Sequence, residues 1–202
     1  QQIIDVIRYI ISSKGIEYVT ISEIANRIGT TKTAIYRHFK NKRDILNLLI
    51  DNIEETLMEA LDRAMGKEDP IQSLKNVLLA HLTYAKERRE TSFIVIMGVM
   101  QFSDTVIRRK ISQLIQKYLR KIEKLLSGAI KLGLVKKTMN PRISAIAFLG
   151  LIQSTVTVWS YKNLTLYLKK SMQISGISTS VELVFNLKFI NSQQFSFFEK
   201  SQ

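Results

Sequence analysis

Between Thr30 and Lys42 the chain reads TTKTAIYRHFKNK. Its side chains are hydroxyls (Thr30, Thr31, Thr33, Tyr36), cations (Lys32, Arg37, Lys40, Lys42) and one imidazole, His38. These are hydrogen-bond donors and positive arms, the groups that hold phosphate oxygens and read base edges. Turned at about 100° per residue, Ile35 and Phe39 point one way and Thr33, Tyr36, Arg37 and Lys40 broadly the other. Lys32 lies on the flank, with an arm long enough to reach outward. A helix of this size fits a major groove about 12 Å wide, and its N-terminus favours a phosphate oxygen. The bland alternative is a small polar surface helix, so the neighbouring elements must decide.

Those elements point to a helix-turn-helix. Residues 1–14 carry Ile3, Ile4, Val6, Ile7, Ile10 and Ile11 at helical spacing, and Lys14-Gly15 is a stop. Thr20-Ile21-Ser22-Glu23 reads as a capping box, in which hydroxyl and carboxylate satisfy each other's backbone N–H groups. The helix it opens buries Ile21, Ile24, Ala25 and Ile28 and ends at Gly29. Thr31 caps the next helix, expected to run to about Lys40, and Asn41 caps a long amphipathic helix over 42–65. Further helices are predicted near 70–89, 92–102, 104–132, 141–162 and 174–193. The last is rich in β-branched and aromatic residues and could be a strand. With two prolines and eight glycines in 202 residues, the expected class is all-α.

Catalytic constellations are missing. The sequence has no His-Glu-x-x-His, no Gly-rich phosphate loop and no Gly-x-Ser-x-Gly. Without cysteine there is no disulfide scaffold, thiolate nucleophile or thiolate metal site, which fits a reducing cytosol. His81, among Leu78, Leu79 and Leu82, reads as a satisfied, partly buried histidine, and Glu54, Glu55 and Glu59 as solvated carboxylates. The expectation is a cytoplasmic protein that is not an enzyme and needs neither cofactor nor metal.

The formal charge of +13 calls for a polyanionic partner. Residues 1–46 hold eight Lys/Arg against four Asp/Glu, and residues 104–142 eleven against two. The second excess reads as a solvated cationic face, or as a place where Arg109 or Arg120 meets an anionic ligand such as an acyl-CoA or fatty acid, or as added attraction to DNA. The cluster FIVIMGVMQF at 93–102 supplies Phe93, Met97 and Met100 as candidate pocket lining, with Tyr84 and Trp159. Residues 143–161 carry no charge and are nearly long enough to span a bilayer. The polar residues within them favour a buried helix at a subunit interface and no membrane.

Residues 3–46 resemble the DNA-binding domain of the TetR family of transcriptional regulators. Tyr36, Arg37, His38, Phe39, Lys40 and Lys42 match that family's aromatic-x-His-Phe-Lys-x-Lys run. The resemblance implies phosphate contacts from Tyr36, His38 and Lys42, base reading by Lys32, Thr33 and Arg37, and backbone contacts from Thr20, Ser22 and Thr31. Gly133-Leu134-Val135, Asn140-Pro141 and the apolar helix ending near Trp159 resemble the end of the regulatory domain. There the final two helices pair with their copies across a two-fold axis. This implies an interface from Phe148, Leu151, Ile152 and Thr155, with Val181, Val184 and Phe185 on the second helix. The domains implied are 1–46, the three-helix DNA-binding domain, and 47–202, a larger helical ligand-binding and dimerisation domain. The function implied is a homodimeric repressor on a palindromic double-stranded operator, released by a small hydrophobic or acyl-type effector. The rival is a helical ligand-binding protein whose helix-turn-helix is degenerate and has no operator.

Overall fold

In a computed structural model of the chain, residues 2–66, 69–88 and 104–160 are described, with residues 159 and 160 described by backbone alone. Their α-helices are α1 (Gln2–Lys14), α2 (Ile21–Ile28), α3 (Lys32–Tyr36), α4 (Lys42–Met65), α5 (Pro70–Glu87), α6 (Thr105–Lys131) and α7 (Pro141–Ser160), with a 3-10 turn at Ile16–Tyr18. No strand occurs among the described residues, and the architecture is all-α. The helices expected near 92–102 and 174–193 lie outside the described residues.

Short polar side chains start most of these helices. Thr20 Oγ1 accepts the Glu23 N–H, Thr31 Oγ1 the Ala34 N–H and Asn41 Oδ1 the Asp44 N–H, each at 3.1 Å. Asp69, Asp104 and Asn140 each accept two N–H groups in the first turns of α5, α6 and α7. The expected capping box is only half made. The Glu23 carboxylate turns away from the Thr20 backbone and accepts from Lys14 Nζ at 2.9 Å and Arg27 Nε at 3.0 Å. Two charged donors outcompete one backbone amide that water can satisfy.

Gly29 ends α2 with φ 74°, the left-handed conformation. Thr30 N–H donates to Ala25 C=O at 3.0 Å and Gly29 N–H to Asn26 C=O at 3.3 Å, the paired bonds of a Schellman stop. The chain thus turns sharply from α2 into α3.

The described residues within 1–66 and 76–118 form one compact unit, and those within 67–75 and 119–202 another. The first has a continuous core: Ile4, Ile7, Ile10 and Ile11 of α1, Ile24 and Ala25 of α2, Ile35 of α3, Phe39, and Ile45, Leu46, Leu49, Ile50 and Ile53 of α4, joined by Ile107, Ile111 and Leu114 of α6. Each large side chain withdrawn from water contributes about 1.5–3 kcal/mol. Ile21 and Ile28, expected in the seam of α2, pack at its edge, partly buried.

In the second unit, Ala145, Phe148, Ile152 and Val156 form the buried stripe of α7, while Ile143 and Ile146 are exposed. The segment Pro141–Val158 is long and apolar enough to cross a membrane, and 22% of it is buried. The expectation is a helix covered at a subunit interface; within the single described chain one of its faces is open.

Candidate nucleic-acid interface

The helix α3 is shorter than its sequence suggests. It ends at Tyr36, not near Lys40, and its last turn is closed by Phe39 N–H donating to Ile35 C=O at 3.0 Å. The reason lies downstream. Asn41 must be extended to cap α4, and Lys40 N–H is taken by Asp44 Oδ2 at 2.8 Å. Arg37 keeps helical angles, so the periodic argument still places its side chain correctly.

Ile35 and Phe39 are buried, and Thr31, Lys32, Thr33, Tyr36, Arg37, His38 and Lys40 are exposed. Tyr36 is 55% exposed, a large aromatic surface held in water beside three cations. Among the described residues none of Lys32, Arg37 and Lys40 pairs with a carboxylate. Thr20 is exposed at the start of α2, its hydroxyl also serving as the cap, and Ser22 is half-buried behind it. The surface is therefore donor-rich, positive and unmasked, and a rigid apolar inner face fixes its direction.

Two other basic residues of this region are already engaged. Lys14 and Arg27 both hold Glu23, whose carboxyl is kept below its usual pKa by the Lys14 hydrogen bond first and the Arg27 bond second. The Arg27 guanidinium also lies 4.2 Å from the centre of the Tyr9 ring.

Lys42, the third phosphate candidate, is half-buried. Its Nζ donates to Ile16 C=O at 3.1 Å and Glu17 C=O at 3.3 Å, and burial lowers its pKa.

The effector candidates are less unified. Tyr84 is buried in the first unit, with its hydroxyl 3.0 Å from Thr56 Oγ1 and its ring under the Arg88 guanidinium at 3.9 Å. Arg109 and Arg120 are exposed on α6. Phe93, Met97, Met100 and the Trp159 side chain lie outside the described residues, as do Val181, Val184 and Phe185. Phe148 and Ile152 are buried within the single chain. Leu151 and Thr155 are half-buried. His81 is partly buried, its Nδ1 3.0 Å from the Tyr118 hydroxyl. Burial lowers its pKa to about 4 and pushes the Tyr118 phenol up.

Residues 3–49 match the family model of the bacterial regulatory proteins of the tetR family, and residues 39–175 that of the YsiA-like C-terminal region. The chain belongs to the TetR family. The fatty acid metabolism regulator protein of Bacillus subtilis (strain 168) is 29% identical over 166 residues, covering 78% of this chain and 81% of that protein. The crystal structure of the regulator FadR from Bacillus subtilis in complex with stearoyl-CoA superposes with a TM-score of 0.71 at 26% identity, over 91% of this chain and 96% of that one. PfmR from Thermus thermophilus, also a TetR regulator, gives 0.74 at 18% identity over 94% and 97%, a likeness of fold. As a TetR-family member the chain is a DNA-binding, ligand-binding transcriptional regulator.

Sequence reasoning missed the ionic contacts that join α4 to α6: Arg43 with Asp104, Lys110 with Asp51 at 2.6 Å, and Lys117 with Glu54. Asp104 could be read as a cap from its place before α6. Nothing in the sequence pairs it with a residue sixty-one positions away.

Proposed function

We propose that this TetR-family regulator is a cytoplasmic homodimeric repressor that binds a palindromic operator and is released by a long-chain acyl-CoA. Residues 1–46 read DNA, and residues 47–202 dimerise and hold the effector. Lys32, Thr33 and Arg37 read bases, while Tyr36, His38, Thr31, Thr20 and Ser22 hold the backbone.

One observation carries the DNA reading: α3 buries Ile35 and keeps Tyr36, Arg37 and Lys32 exposed, with no carboxylate partner among the described residues. A degenerate helix-turn-helix has no physical need to keep such a face open. The effector class is supported by the similarity to a Bacillus subtilis regulator named for fatty acid metabolism and to the Bacillus subtilis FadR structure solved with stearoyl-CoA. Release works by differential affinity: an acyl-CoA that favours one arrangement of the regulatory helices shifts the spacing of the two α3 helices. Such coupling is typically about 1–3 kcal/mol.

The test is selection of a binding site from random duplexes. Fluorescence anisotropy on the winner then follows, with stearoyl-CoA, stearate and free CoA added separately. The expected result is a two-fold symmetric site bound at least about a thousand times tighter than random duplex, weakened by stearoyl-CoA alone. No enrichment over random duplex would favour the operator-less carrier. An enriched site indifferent to all three additions would sink the acyl-CoA assignment.

A further inference from the structure

Between residues 119 and 160, in the second unit, the chain has one carboxylate, Glu123, against seven Lys and Arg side chains. Glu123 is already taken, since Arg142 Nη1 donates to its Oε1 at 3.1 Å. Arg120, Lys124, Lys131, Lys136 and Lys137 are exposed, and among the described residues none of them pairs with a carboxylate. At about 100° per residue, Arg120, Lys124 and Lys131 fall within about 40° of one another on α6. At about 1.5 Å per residue they span about 16 Å of its length. The helix is held from behind, where Leu119, Ile122, Leu126 and Ala129 are buried.

A second Schellman stop ends α6. Gly133 has φ 70°, its N–H donates to Ile130 C=O at 3.0 Å, and Leu134 N–H donates to Ala129 C=O at 2.9 Å. Val135 is buried just beyond. Met139 N–H then donates to Lys136 C=O at 3.0 Å, closing a turn that opens with Lys136 and Lys137. Hydrogen-bonded backbone thus presents these two lysines a few residues past the stripe on α6.

We propose that this patch of five cations is a second, sequence-independent site for duplex DNA, carried by the second unit and separate from α3. A row of long arms of one sign matches a phosphate backbone, which places one charge per about 1.7 Å of duplex. Four of the five are lysines, which meet phosphate as point charges. A bilayer is the poorer fit. A helix that lies on lipid turns its apolar face outward, and that of α6 is spent on its own core. Leu132 and Leu134 are exposed at its end, two side chains where lipid docking takes a continuous stripe. Contacts of this kind strengthen binding to every sequence alike and keep a regulator on duplex while it slides and hops.

Random duplex is the probe. Its affinity is measured by anisotropy across a KCl series for wild type and for Lys131→Gln/Lys136→Gln/Lys137→Gln. The triple variant should bind at least about tenfold more weakly at low salt, with a slope shallower by about two to three per protomer. An unchanged slope overturns the site.

Occupancy is read directly by lysine footprinting of the wild-type chain. Saturating random duplex should slow acetylation of Lys131, Lys136 and Lys137 by a soluble N-hydroxysuccinimide ester at least about fivefold, while phosphatidylglycerol vesicles leave them reactive. Protection should persist in Lys32→Ala/Arg37→Ala, and its loss there would make the patch an appendage of α3. Full reactivity under duplex overturns the site even where the slope changes, because the charges would then act only at a distance. Vesicles that protect the three lysines as well as duplex does would overturn the choice of DNA. Should the triple variant fail to fold, the wild-type footprint decides alone. Neither measurement uses an operator or an effector, so both judge the site even if the repressor reading falls.

Discussion

At the scale of single residues, two kinds of cation divide the DNA-binding surface. Lys32 and Arg37 are exposed and unpaired among the described residues, whereas Lys14 and Arg27 are held by Glu23. Replacing Arg37 or Lys32 by alanine should relax preference at particular base pairs, by about 1–3 kcal/mol each. A repeated site selection that returns the wild-type base ranking would refute the assignment. Tyr36→Phe removes one hydroxyl donor and should weaken binding to specific and random duplex alike, as anisotropy on both would register.

His81 gives a separate prediction. Burial holds it neutral, with a pKa of about 4 in place of 6.5. The unfolded chain therefore binds a proton between those values that the folded chain refuses. Stability is full above about pH 6.5 and falls as the pH drops towards 4, by on the order of 3 kcal/mol. In His81→Gln the urea midpoint should lose most of its slope across that window.

At the scale of elements, α3 is a five-residue helix that cannot stand alone. It is held by the Thr31 cap, by the Schellman stop at Gly29, and by Ile35 in the core shared with α1, α2 and α4. Thr31→Ala should cost about 1 kcal/mol. Gly29→Ala should cost about 1–2 kcal/mol; the site is open around a built Cβ, so the penalty comes from the left-handed backbone rather than a clash. Chemical denaturation of both variants checks these values. A neutral Gly29→Ala would mean that the turn relaxes.

At the scale of the whole molecule, the expected division between 46 and 47 concerns roles, while packing follows a different grouping. The buried residues of α1, α2 and α3 share one core with α4 and the start of α6. A reading head built into that core moves with α4, which suits a protein that must report a distant ligand. The open face of α7, with Ile143 66% and Ile146 52% exposed, is where the proposed two-fold partner belongs. Ile146→Lys is expected to halve the mass in sedimentation equilibrium and weaken operator binding, because one α3 cannot span two half-sites. Ile146 is a cleaner probe than Leu151, which is half-buried in its own chain.

Periodicity and caps are local, so the sequence by itself determined the helices of residues 2–65, the stop at Gly29 and the outward face of α3, but not the early end of α3 at Tyr36. Thr20, Thr31, Asn41 and Gly29 act within five residues of themselves, and no distant contact overrides them. Only the tertiary structure decided where a charge goes once its helix is placed. Glu23 turned to Lys14, Lys42 to two carbonyls twenty-five and twenty-six residues back, and Arg43 to Asp104. Long flexible side chains choose partners by distance in space, and a sequence records only distance along the chain.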